Sequence, residues 1–105
     1  MTKAYWIANG EIADAEQYKK YVEANAEAFA AFGARFLVRG GAGDVQEGSF
    51  KSRTVVIEFD SYEQALACYN SPTYQKARAL RLDVSTINLI IVRGYDGPQP
   101  GDRRS

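Results

Sequence analysis

Histidine is absent from the 105 residues. Its absence removes Ser-His and Cys-His nucleophilic catalysis, His-ligated zinc or non-haem iron, and the usual proximal ligand of haem. Acid-base chemistry is left to carboxylates, tyrosines and lysines. Cysteine is scarce too: Cys68 alone cannot form an internal disulfide, and without an adjacent histidine it reads as an inert buried thiol. Met1 is followed by polar Thr2 and Lys3 with no apolar stretch of signal-peptide length. Nor does any segment approach the roughly 20 apolar residues of a spanning helix. A reducing, cytoplasmic location is therefore expected, with neither metal nor bound cofactor. There is also no excess of charge, since 13 Lys+Arg balance 13 Asp+Glu. Without a positive field to gather phosphates, nucleic acid and membrane surfaces are both disfavoured as partners.

What is present is apolar and aromatic. Hydrophobic residues make up 46% of the chain and aromatic residues 12%, the profile of one globular domain. Lys3 to Ala8 is rich in aromatic and β-branched residues and runs into Asn9-Gly10, which reads as a strand followed by a turn. Asp14 with Gln17 resembles a capping box, and Tyr18, Val22, Asn25 or Ala26, Phe29 and Phe32 recur at helical spacing up to Gly33. Arg35–Arg39 is a second strand, and Gly40, Gly41 and Gly43 open a long hairpin loop. Thr54–Phe59 is the strongest strand signal. Asp60-Ser61 with Gln64 starts a second helix carrying Tyr62, Ala65, Leu66 and Tyr69. Pro72 breaks it and opens a new helical piece behind a Ser71 cap, running to about Asp83. Thr86–Gly94 is the last strand. Residues 1–94 are thus expected as the domain. Residues 95–105 are expected as a loose tail, in which Arg103 and Arg104 balance Asp96 and Asp102.

This order, with right-handed crossovers, predicts an α+β fold of ferredoxin-like βαββαβ type. Its four-stranded antiparallel sheet has the order 4-1-3-2 and helices on one face. Both alternating registers of the strands are apolar: Tyr5 and Ile7 against Trp6, and Ile87, Leu89 and Ile91 against Ile90 and Val92. Helices cover one face only. Leaving about five large side chains wet on the other would forgo on the order of 10 kcal/mol, at about 1.5–3 each, which rivals the whole stability of about 5–15 kcal/mol of a domain. A two-fold homodimer packed sheet to sheet follows.

Several stretches carry a resemblance. Phe36-Leu37-Val38-Arg39-Gly40-Gly41, Glu47-Gly48, Val55-Val56-Ile57-Glu58-Phe59, and Ala65 onward through Tyr69-Asn70-Ser71-Pro72-Thr73-Tyr74-Gln75 resemble the domain-of-unknown-function family 1330 of the dimeric α+β barrel proteins. The likeness spans about Tyr5 to Gly94 and implies the barrel-like dimer; the family lends no settled activity. Where that family commonly has Trp and Glu, this chain has Tyr69 and Thr73.

Four residues stand out as candidates for chemistry. Glu58 is a carboxylate inside the most apolar strand, either a general base or one half of a structural ion pair. Pairing Leu37 with Val56 would set Arg35 opposite Glu58 and Arg39 opposite Thr54, all on one face. Arg39 has the planar fork to hold a carboxylate or enolate, or it caps the glycine loop. Tyr69 and Tyr74 flank the Pro72 break, as substrate-orienting hydroxyls or as core. Trp6 reads as core or dimer contact, and Lys76, Arg78 and Arg81 read as a solvated basic stripe. Two functions are open: a cofactor-independent enzyme moving a proton next to a carbonyl or acting as an oxygenase, or a non-catalytic dimer that binds a small organic ligand.

Overall fold

A computed structural model describes residues 2–102. In chain order it contains β1 (Ala4–Ile12), α1 (Ala15–Ala31), β2 (Arg35–Arg39), β3 (Arg53–Phe59), α2 (Tyr62–Asn70), α3 (Pro72–Ala79) and β4 (Ser85–Arg93). All neighbouring strands are antiparallel, and the sheet order β2-β3-β1-β4 is the predicted one. No helix among the described residues is long and apolar enough to cross a membrane. The readings of Arg103 and Arg104 lie outside the described residues.

Local sequence explains the helix starts. The Asp14 carboxylate accepts the Gln17 amide at 3.1 Å, and Ser61 Oγ accepts that of Gln64 at 3.1 Å. Ser71 serves two helices at once: its hydroxyl donates to Cys68 O at the end of α2 and accepts from Tyr74 N at the start of α3. Pro72 takes the first turn of α3, where its missing N–H costs nothing.

Two expectations need correction. β1 does not turn at Asn9-Gly10 but continues to Ile12, paired with β4 as far as Ser85. The Asn9 side chain bonds Lys51 N and O, Arg53 O and Thr54 Oγ1, and so ties the end of the long loop and the start of β3 to β1. Gly10 stays in the ladder because a Cβ there would come within 2.5 Å of Thr86 O. The second correction concerns α3, which ends at Ala79 instead of near Asp83. Leu80 N and Arg81 N bond three residues back, to Ala77 O and Arg78 O, and this tightened turn swings Arg81 inward.

The core lies between the helices and one face of the sheet. Trp6 is its centre, with ring neighbours Phe29, Phe59, Tyr69 and Tyr74 and its indole N–H on Ala65 O at 2.9 Å. α1 packs against α3 and stands further from the sheet than α2 does. The opposite face carries Val38, Val56, Ile7 and Ile90 in one row across all four strands. Ile7, Val38 and Ile90 are 39%, 39% and 56% exposed.

Candidate functional site

The stand-off of α1 leaves a cavity beneath it with about 50 Å³ of space open to water, several times the ~10–15 Å³ that holds one molecule. Its floor is the inner face of the sheet: Trp6, Ala8 and Gly10 from β1, Val55 and Ile57 from β3, Ile87 and Leu89 from β4. Its roof is one side of α1, where Tyr18, Tyr21, Val22, Asn25 and Phe29 recur at helical spacing. Three arginines close the rim, Arg39 from β2, Arg53 from β3 and Arg81 from the turn after α3.

Arg39 arrives there through a bulge. Arg35 does pair with Glu58 and Phe36 with Ile57, but the register then slips, so that Val38 faces Val56 and Arg39 faces Val55. Pairing without a bulge would put Arg39 opposite Thr54 on the Glu58 face. The extra residue in β2 turns its guanidinium to the helix side, stacked 4.0 Å above the Phe36 ring.

Glu58 is therefore separated from Arg39 by the thickness of the sheet. On the open face it accepts Arg35 Nε at 3.0 Å and the Tyr5 hydroxyl at 3.2 Å. Arg35 also reaches Asp60 at 2.9 Å, and its guanidinium holds the Asp60 carboxyl below the usual carboxylate range. Tyr74 lies behind the cavity wall. It is fully buried, and its hydroxyl bonds Tyr21 Oη at 2.9 Å and accepts Arg81 Nη2 at 3.3 Å. Tyr69 packs its ring on Trp6 and Tyr74 and does not line the cavity. The structure thus places Arg39 on the cavity, Tyr74 behind its wall in contact with two lining residues, and Glu58 and Tyr69 away from it.

Arg81, read from sequence as part of a solvated stripe, is only 6% exposed. Its guanidinium lies 5.3 Å from the Tyr21 ring centre, and its Nε has no partner. Arg53 Nε is likewise buried and unpartnered. Burial opposes the charge on Arg81, but the hydroxyls of Tyr74 and Tyr21 outweigh it and raise its pKa. Burial pushes the Tyr21 hydroxyl well above the ordinary tyrosine value, and Tyr74 adds to that shift. Tyr18 is raised by burial, against the pull of Arg53 and Arg81. At neutral pH Tyr18 and Tyr21 therefore keep their protons.

Arg53 and Tyr21 are the polar lining residues that the sequence does not single out. The one local hint was Tyr21, which falls between Tyr18 and Asn25 on the buried side of α1. Among the described residues no group of three or more carboxylates or thiols gathers as a metal ion would require.

A search of the curated proteins finds no match for this chain. Among solved structures it is similar to the RPA0582 protein of Rhodopseudomonas palustris, with 14% identity and a TM-score of 0.68 over 91% of this chain and 85% of that one. A ferredoxin-like protein of Thermobifida fusca, described as dimeric, shares 17% identity with a TM-score of 0.59, over 88% of this chain and 91% of that one. SnoaB, a cofactor-independent oxygenase of Streptomyces nogalater, shares 10% identity with a TM-score of 0.62, over 94% and 96%. Identities this low carry the fold alone. By sequence, the model of the domain of unknown function DUF1330 matches residues 3–95, and the chain belongs to that family.

Proposed function

We propose that the protein is a cytoplasmic homodimer that binds a small organic molecule in the cavity under α1 of each subunit. The observation that carries this reading is the cavity itself. A well-packed core has few voids larger than a water molecule, yet here space is kept where aromatic walls and polar groups converge. Arg39 stands at the rim as an orienting group, and Tyr74 supports Tyr21 and Arg81 from behind. Glu58 is assigned to structure, because its oxygens are taken by Arg35 and Tyr5. Tyr69 is assigned to the core.

The dimer forms through the open face in this proposal. The row of Val38, Val56, Ile7 and Ile90 supplies the apolar centre, and the Thermobifida fusca relative is described as dimeric. The test is a fragment screen by ¹⁵N-resolved NMR, in which binding is expected to move the amides of Ala8, Val22 and Leu89. A screen of several hundred fragments that moves none of them overturns the binding reading. In the same assay Glu58→Gln is expected to leave affinity unchanged, and a tenfold loss would bring Glu58 back into the site.

A second reading, cofactor-independent chemistry such as that named for SnoaB, draws on the hydroxyl chain from Tyr21 to Tyr74. Water in the cavity would take the α-proton of a bound ketone while Arg39 or Arg81 holds the developing enolate oxygen; Tyr21, kept protonated by burial, would return a proton to the carbon and regain one from the hydronium so formed. Deuterium incorporation into a panel of enolisable ketones and keto acids, above buffer and lost in Tyr21→Phe, is the expected sign. Binding without exchange leaves the non-catalytic reading.

A further inference from the structure

We infer that the ligand of this cavity is a small apolar monocarboxylate, whose charged group is held by Arg81 and Arg53 while its body lies between the aromatic walls. The inference rests on the cavity being a ligand site and specifies which molecule it takes.

The charge balance of the site leads to this class. Three arginines line the cavity and no carboxylate does. The ion pairs among the described residues join Lys3 and Arg35 to Asp60, Arg35 to Glu58 and Arg93 to Glu63, so Arg39, Arg53 and Arg81 are in none of them. In a chain of zero net charge that gathering is not a by-product of overall basicity. Arg81 is the decisive member. A buried cation without a counter-charge is strongly unfavourable, and the groups that touch it, the Tyr74 hydroxyl and the Tyr21 ring, are neutral. Arg53, Arg78 and Arg81 each have a buried Nε without a partner, and those of Arg53 and Arg81, which line the cavity, are donors that a bound anion would satisfy.

The rest of the lining fixes the remainder of the ligand. Phe29, Phe36, Val55, Ile57 and Leu89 make most of the remaining wall apolar, its polar members being Asn25, Tyr18, Arg39 and a Tyr21 hydroxyl already bonded to Tyr74, so the body of the molecule is mainly apolar. An inorganic anion would leave those walls unused, and about 50 Å³ of space, a third of the ~150 Å³ that encloses benzene, limits the enclosed body to a short branched chain or the inner part of one ring whose remainder stands at the open rim.

The probes are benzoate, its neutral isostere benzamide, and inorganic phosphate, titrated into the intact protein with ¹⁵N-resolved detection. Benzoate is expected to move the amides of Ala8, Val22 and Leu89, with benzamide at least tenfold weaker and phosphate unable to compete. Arg81→Met is expected to lose benzoate binding at least tenfold while the apo protein still melts cooperatively, because the Tyr74 hydroxyl that Arg81 serves keeps Tyr21 as its partner. Arg81→Lys should recover part of the binding. Equal binding of benzamide, or full competition by phosphate, overturns the monocarboxylate assignment and leaves the cavity as a site. Failure of all three probes while other fragments shift those amides also overturns it. If Arg81→Met unfolds the protein, Arg53→Met provides the second arm, and unchanged benzoate affinity there counts against the assignment.

Discussion

The hydroxyls of Tyr21 in α1 and Tyr74 in α3 lie 2.9 Å apart inside the helix–sheet layer, and Arg81 donates to the second of them at 3.3 Å. Two phenols, each unable to reach water freely, thus satisfy one another and seat a guanidinium.

Removing one hydroxyl leaves the other group without its partner. Tyr74→Phe is expected to destabilise the protein by about 1–3 kcal/mol, read from urea denaturation. The double variant Tyr21→Phe with Tyr74→Phe should cost less than the sum of the singles, since both unpaired groups are then gone. Additive losses would show that the pair is not coupled.

Gly40 is a second sensitive point. Its φ is +72°, and a Cβ there would run into the guanidinium of Arg53. Gly40→Ala is expected to cost about 1–2 kcal/mol for the left-handed backbone and, by displacing Arg53, to weaken ligand binding more than the stability loss explains. The check is a ligand titration well below the melting temperature.

The open face predicts the oligomeric state. Light scattering after size exclusion is expected to give twice the 11.6 kDa of one chain. Ile90→Lys, which sets a charge at the end of the apolar row, should give folded monomers at micromolar concentration or a lower melting temperature. A wild-type monomer at that concentration contradicts the interface.

Stability should fall on the alkaline side. Burial raises the Cys68 thiol from 9.0 to about 12 and moves Tyr21 well above 10.0, with Tyr74 adding to the Tyr21 shift. For both groups the unfolded chain ionises first, so above those values the folded state binds more protons and stability declines as pH rises. The unfolding free energy from urea denaturation is expected to be level below about pH 9 and then to drop by up to ~1.4 kcal/mol per pH unit for each group, with the midpoint falling in step. Cys68→Ala should delay the onset by about one unit, toward the tyrosine range. The same burial predicts that Cys68 resists thiol reagents until the protein unfolds. A midpoint that stays level to about pH 11, where ordinary tyrosines have ionised, would sink the prediction.

Much of the fold was legible because its signals are local. Asp14, Ser61 and Ser71 announce helix starts through bonds that span three residues. The apolar registers of β1 and β4 announce a sheet with two greasy faces. Where local rules failed, a distant partner had overridden them: Asn9-Gly10 has turn chemistry, yet Asn9 is engaged by the loop before β3 and Gly10 by β4.

The site was less legible. Glu58 and Arg39 stood out because charges in strand sequences are conspicuous, but a strand sequence does not disclose its bulges. One extra residue between Phe36 and Val38 sends Arg39 through to the other side of the sheet. Arg81 looked like one cation among several on a helix, and only the tight turn after Ala79 makes it buried.

By itself the order of residues determined the elements, their sequence along the chain, the ferredoxin-like topology and the need to cover a second apolar face, since periodicity, caps and breakers act within a few residues. The tertiary structure alone decided which charges meet. Arg39 and Arg53 come from the two ends of one hairpin loop and Arg81 from a turn much later in the chain, and their convergence depends on a bulge, a glycine without a side chain and the stand-off of a helix. Those are matters of packing geometry, to which no short window of sequence is sensitive.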